Sequence, residues 1–402
     1  MKENSEIGLS VDGPLASWTQ HSKRNPMQDA LLLSVRPGII CFALGLPAPE
    51  LFPLELFTNA CTEILGRGPR VLQYGPPSNT LKSHIVSLMR TRGVECSEKQ
   101  VFLTSGAQQG VHLIVALLLD RGRQVIAEEL CYPGFQQIIE FYQPEILTVP
   151  TDPKSGMDVD KVEWHLVRGA RPAFIYAIPD GHNPLGASLS EEKRIRLIEI
   201  SQKYGVPIIE EDPYGFLSYR TNPIAPMRAH RADLIFYVGS FSKILAPSAR
   251  LGWLIVPETL ASHLANLKEA SDIDMGTFSQ HVVACMLDSG FLPQHLVCLR
   301  SEYKCRRDLM LAALSKRFPP GSEWIVPDSG VFVWVRLPVP FDTASLLETA
   351  VNEYGVAFMP GSVFRSGTGG DDARGCIRLN FSYPSTAHIE EGTLRLGEMF
   401  EN

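Results

Sequence analysis

The stretch Gly239-Ser240-Phe241-Ser242-Lys243-Ile244-Leu245-Ala246-Pro247-Ser248-Ala249-Arg250 sets a primary amine between two hydroxyls and a guanidinium. The apolar run at residues 234–238 leads into it and reads as a buried strand. Lys243 therefore follows the end of a strand, where open α/β sheets build their sites. An amine in a low-dielectric setting can hold an aldehyde cofactor as a Schiff base. Ser240 and Arg250 are suited to a phosphate. Taken alone, the lysine reads more readily as a solvated strand-end residue beside a helix cap.

Four further loops follow strand-like runs and carry groups of the right kind. Ser105-Gly106-Ala107-Gln108 opens a helix, exposing backbone N–H groups to an anion, or is a plain strand-to-helix turn. Tyr132, before Pro133, can lie against an aromatic ring or fill a core. Asn183, in Pro179-Asp180-Gly181-His182-Asn183-Pro184-Leu185-Gly186, can donate to a phenolate oxygen or simply form the turn. Glu210-Glu211-Asp212-Pro213-Tyr214 offers a carboxylate for a protonated pyridine nitrogen and a tyrosine for a ring oxygen.

Positioning these groups requires a sheet. Strands are expected at residues 101–104, 124–127, 173–178, 207–210 and 234–238, with helices at 110–119 and 191–204 between them. This alternation predicts an α/β fold with a mostly parallel sheet and helices on both faces. A mainly helical region covers residues 260–315, and a second α/β stretch contains residues 330–335 and 377–381. The expected organisation is an N-terminal arm (1–47), a large domain (48–295) and a small C-terminal domain (296–402). A helix-like stretch at residues 26–34 lies in the arm, and the Gly- and Pro-rich residues 42–53 read as an irregular loop containing Gly45.

Length and composition suit two packed domains: 402 residues, 45% hydrophobic and 20% charged. A net charge of −7 gives no footing for nucleic acid or an anionic membrane. No apolar run is long enough for a membrane span, and the polar first residues lack a signal-peptide core, so a cytoplasmic location is expected. The eight cysteines form no C-x-x-C pair and no histidine stands at zinc-finger spacing, so neither a metal nor a disulfide is expected.

Taken together and in this order, the loops resemble the fold-type I pyridoxal-phosphate enzymes of the aminotransferase class I/II family. The resemblance is to the α-aminoadipate and kynurenine aminotransferase branch, and it runs from Gly45-Leu46-Pro47-Ala48-Pro49-Glu50-Leu51-Phe52-Pro53 to Arg378. It implies a seven-stranded sheet in the large domain, pyridoxal 5′-phosphate as cofactor, and transfer of the amino group of an α-amino acid to a 2-oxo acid. Lys243 would form the Schiff base and then act as general base. Ser240, Arg250 and the Gly106-Ala107-Gln108 backbone would hold the phosphate, Tyr132 would stack on the ring, and Asn183 and Tyr214 would meet its 3-oxygen. Arg378 would grip the substrate carboxylate, beside Gly45 and Asn183. Tyr74 would reach the phosphate of a neighbouring subunit in a homodimer.

The sequence departs from that pattern in five places. Glu211 stands where the family carries the aspartate that pairs with the ring nitrogen, and strand alternation turns Asp212 away. Ala107 replaces a hydroxyl, losing one hydrogen bond worth about 0.5–1.5 kcal/mol. Gln28 occupies a Ser-x-Ile-Arg region through which relatives bind acidic side chains, which argues against acidic substrates. The stretch from Gly75 to Lys82 lacks the usual spacing after Tyr74. His182 replaces a glutamine beside Asn183 and is either an extra acid–base group or a turn residue. Glu211 and His182 keep a second reaction open: elimination, replacement or side-chain cyclisation on the same scaffold. A regulatory role is disfavoured, because no basic helix-turn-helix pattern precedes residue 40.

Overall fold

The computed structural model describes residues 17–20, 30–33, 36–338, 341–367 and 373–401. Seven strands form the main sheet: β1 (Val101–Thr104), β2 (Gln124–Glu128), β3 (Glu145–Val149), β4 (Ile175–Ala177), β5 (Ile208–Asp212), β6 (Ile235–Ser240) and β7 (Gly252–Ile255). Their order is β1-β7-β6-β5-β4-β2-β3. Only β7 runs antiparallel to its neighbours. β5 and β6 are buried along their whole length, as expected of central strands covered on both faces.

The composition-based reading places five of these strands and misses two. β3 is an edge strand, flanked by Pro144 and Pro150 and exposed at Glu145, so its apolar signal is weak. β7 follows β6 by a short connection with no crossover helix, which breaks the alternation used to find the others.

Helices fill the crossovers. α1 (Ala107–Leu118) follows β1, α2 (Pro133–Glu140) follows β2, and α3 (Glu191–Tyr204) joins β4 to β5. The Ser190 hydroxyl caps α3 by accepting from the Lys193 amide at 3.3 Å. A 26-residue helix, α4 (Leu292–Arg317), begins just ahead of the expected domain boundary at 295 and carries the chain across it. Beyond it, β8 (Glu323–Trp324), β9 (Phe332–Arg336), β10 (Met359–Pro360) and β11 (Cys376–Asn380) form an antiparallel sheet in the order β8-β9-β11-β10.

The segment before Gly45 belongs to this second layer. Ile40–Cys41 pairs in parallel with Val356–Ala357, and the Asn380 amide donates to the Phe42 carbonyl at 2.8 Å. That docking brings Gly45 over the ends of β5 and β6. Of the helix-like stretch at 26–34, residues 30–33 are helical; Gln28 lies outside the described residues. Among the described residues no single helix is long and apolar enough to cross a membrane, and all eight cysteines are free.

Candidate active site

A cleft of about 250 Å³ opens where the ends of β5 and β6 meet the second sheet. Its walls include Gly45, Gly106, Ala107, Gln108, Tyr132, Asn183, Glu211, Tyr214, Ser240, Lys243, Arg250 and Arg378. Every site residue expected from sequence is therefore gathered here except Tyr74. Tyr74 lies in another depression with Lys82, Phe102 and Ile273 and is 78% exposed. A larger groove of about 920 Å³, bordered by Lys154, Lys193, Trp324 and Arg336, contains none of these groups, so convergence rather than size locates the site.

Lys243 sits in the turn after β6. Its Nζ donates to the Gly45 carbonyl at 2.7 Å. Among the described residues it makes no ion pair. Burial, with help from the Arg378 and Arg250 charges, lowers its pKa to about 8, although Glu211 opposes this.

Alternation along β5 sorts three consecutive carboxylates. Glu210 and Asp212 face away from the cleft: Glu210 accepts from the Met227 and Arg228 amides at 2.6 and 2.8 Å. Asp212 accepts from Tyr237 at 2.9 Å, Arg92 at 3.2 Å and the Gly215 amide at 2.6 Å. Glu211 points into the cleft, as its place in the strand predicts. One of its oxygens, Oε2, accepts a short hydrogen bond from the Tyr176 hydroxyl. Burial raises Glu211 to about 7 against the opposing effects of Tyr176 and Lys243.

At the other end of the cleft, α1 begins at Ala107, and its first-turn N–H groups have no intrahelical acceptors. Arg250 stands beside them, donating to the Ser105 carbonyl at 2.7 Å, and its backbone holds φ at 50°. A non-glycine residue in that region is strained, a condition found at ligand clamps. The Ser240 hydroxyl completes the group and accepts from the Ser242 amide at 3.1 Å. Tyr132 lies close over Gly134, where an added Cβ would come within 2.5 Å of the ring. Glycine is needed there for the ring to settle against the helix start.

Arg378, on β11, is fully buried and has no carboxylate partner among the described residues. Its Nη1 donates to Asn183 Oδ1 at 2.7 Å, and its Nη2 donates to the Ala43 carbonyl. Its Nε has no partner. Phe332 and Phe364 approach the guanidinium at 4.1 and 4.7 Å. Burial brings Arg378 down to about 10. Because Asn183 uses its carbonyl oxygen on Arg378, its amide N–H groups are left to donate into the cleft. Tyr214 packs edge-on to Phe332, and burial raises its hydroxyl pKa well above the usual range.

Two further features, Tyr176 and a buried arginine–carboxylate network, had no clear signal in the sequence, while His182 had been singled out with its role open. Tyr176 was visible only as part of a strand. His182 is buried and bonds Glu128 through Nε2 at 3.1 Å, while its Nδ1 and Glu128 Oε1 lack partners. Its place outside the cleft lining gives the turn role more support than direct chemistry. A buried network of Arg92, Asp180, Arg194 and Asp212 ties together the loops that carry Asn183 and Tyr214.

The donor set fits pyridoxal 5′-phosphate: a lone amine, a buried carboxylate with one free oxygen, and a guanidinium beside a helix start. Arg378, whose Nε is unpaired, is placed for a carboxylate. Sheet and cleft together define a fold-type I enzyme that acts on amino acids through this cofactor. Residues 49–396 match the family model described as aminotransferase class I and II, and the chain belongs to that family. It is 35% identical to aromatic-amino-acid aminotransferase 1 of Thermococcus litoralis, over 94% of this chain and 91% of that protein. The structure of Pyrococcus horikoshii kynurenine aminotransferase, in complex with PMP, superposes with a TM-score of 0.90 at 32% identity, covering 98% of both chains. LysN, the α-aminoadipate aminotransferase of Thermus thermophilus, complexed with N-(5′-phosphopyridoxyl)-L-leucine, gives 0.88 at 29% identity, over 96% of this chain and 97% of that one. The protein is a pyridoxal-phosphate-dependent aminotransferase that moves an amino group between an α-amino acid and a 2-oxo acid. Relatives named for transamination leave elimination, replacement and cyclisation without support.

Proposed function

We propose that Lys243 is the residue that would hold the cofactor through its aldehyde, and that its amine would move the substrate α-proton. The carrying observation is its Nζ, held by the Gly45 carbonyl at 2.7 Å in a cleft shared with Glu211 and Arg378. An amine with a pKa near 8 exchanges a proton readily around neutral pH. When bound, pyridoxal 5′-phosphate supplies the aldehyde and a ring that takes up the electron pair left by the departing α-proton. Arg250, Ser240 and the Gly106-Ala107-Gln108 turn hold the phosphate, Tyr132 packs on the ring, and Asn183 and Tyr214 meet its oxygen. Glu211 pairs with the ring nitrogen, and Arg378 orients the substrate through its carboxylate.

The preferred amino donor carries an uncharged side chain. Among the described lining residues the cations are Lys243, Arg250 and Arg378, each with a role at the amine, phosphate or α-carboxylate. Leu44, Leu46 and Phe332 supply an apolar wall beside them. Two chains associate, with Tyr74 of each covered by the other and reaching its phosphate site; the exposed Tyr74 ring supports this.

Borohydride reduction of the holoenzyme followed by peptide mass mapping tests the anchor: the adduct belongs on Lys243, and an adduct elsewhere overturns the assignment. Mixing holoenzyme with single amino acids and no oxo acid tests the donor class. Phenylalanine and leucine should convert the bound cofactor to its amine form faster than glutamate or aminoadipate. Sedimentation analysis tests the dimer, and a monomeric active enzyme would remove the role given to Tyr74.

A further inference from the structure

Glu211 has a partner that its strand position creates. The β4–β5 register sets Tyr176 opposite Ile209, so Tyr176 and Glu211, two residues further on, share one face of the sheet. The same diagonal recurs on the opposite face, where Tyr237, opposite Glu210 in the β5–β6 register, donates to Asp212. Glu211 and Asp212, the last two carboxylates of β5, are thus each met by a tyrosine from a neighbouring strand.

The Tyr176 ring is firmly set. It is 2% exposed and lies parallel to Phe135, with centroids 3.7 Å apart and planes 3° apart. Phe135 in turn meets Phe174 edge-on at 6.2 Å. The hydroxyl therefore has one direction, and it is used on Glu211 Oε2. Among the described residues Glu211 Oε1 makes no hydrogen bond, and Glu211 lines the cleft while Tyr176 does not.

We propose that Tyr176 is a positioning residue for the cofactor: it pins Oε2 of Glu211 so that Oε1 faces the ring nitrogen. This rests on the reading of Glu211 as the nitrogen partner. A glutamate has one more rotatable bond than an aspartate, so a second anchor point restores the definition that the longer side chain loses. The buried oxygen would otherwise be left without a donor.

Tyr176→Phe keeps the stack on Phe135 and removes only the hydroxyl. Two quantities are measured: the dissociation constant of pyridoxal 5′-phosphate by equilibrium dialysis against apoenzyme, and kcat and KM for the amino donor. A lost hydrogen bond to a charged group corresponds to roughly a 10- to 100-fold change. That change is expected in cofactor affinity and kcat, with donor KM moving less than about threefold. Tyr176→His, which returns a ring donor, should recover part of the loss. In a double-mutant cycle, Tyr176→Phe should add little to Glu211→Ala, because both remove the same contact. A silent Tyr176→Phe, or penalties that add in full, overturns the positioning role. A Glu211→Ala enzyme with normal cofactor affinity and kcat overturns instead the assignment of Glu211. The apoenzyme melting temperature identifies a variant that fails to fold; Tyr176→His then carries the comparison.

Discussion

The guanidinium of Arg378 lies 4.1 Å from the centre of the Phe332 ring, and that ring also fills the space beside Gly45. An added Cβ at Gly45 would come within 2.5 Å of Phe332 Cζ. One aromatic side chain thus steadies the proposed carboxylate ligand and lets the Gly45 carbonyl reach Lys243.

Disturbing this arrangement should separate binding from chemistry. Phe332→Leu removes a buried cation–π contact worth about 0.5–2 kcal/mol, so KM for the amino donor should rise several-fold with a smaller change in kcat. Gly45→Ala should lower kcat as well, because the Lys243 acceptor must move. Steady-state kinetics with a single donor checks both.

Cofactor capture by the apoenzyme should depend on pH through Lys243. The reactive form is the neutral amine. With a pKa of about 8, its fraction rises as pH rises through 8 and then levels off, whereas an ordinary lysine would keep gaining past pH 10. Arg378→Met removes a positive charge that disfavours the protonated amine, so the rise should move to higher pH. Stopped-flow absorbance across pH 6–10 reads both curves.

His182 and Glu128 form a buried pair outside the cleft lining. Glu128→Ala leaves His182 Nε2 without its partner and should destabilise the apoenzyme by about 1–3 kcal/mol in urea unfolding. His182→Gln keeps one hydrogen bond and should retain activity within about tenfold. A loss beyond 100-fold at unchanged stability would make His182 part of the chemistry.

Asp180 bridges two buried arginines, at 2.7 Å to Arg194 and 3.1 Å to Arg92. The arginines hold its carboxyl below the usual range, against the opposing effect of burial. Asp180→Asn leaves two buried cations undercompensated and should destabilise the fold by about 3–5 kcal/mol. Chemical denaturation at pH 7 measures it, and a change under 1 kcal/mol would show that Asp212 alone balances both.

Residue order and type brought Lys243, Asn183, Glu211, Tyr214 and Arg250 to notice, because each ends or follows a strand and hydrophobic period marks strands locally, whereas Arg378 was named only by the family resemblance. The same logic placed Glu211 in the cleft and Asp212 away from it, since alternation is a property of one strand. Partners across strands were not legible. Tyr176 meets Glu211 only through the β4–β5 register, Phe332 meets Arg378 only through β9–β11 pairing, and Gly45 reaches Lys243 only because residues 40–42 pair with Val356–Ala357 and bond Asn380 of the second sheet. A chain spells out which groups each segment carries; the distances between segments far apart along it are set by packing and register, which only the folded structure decides.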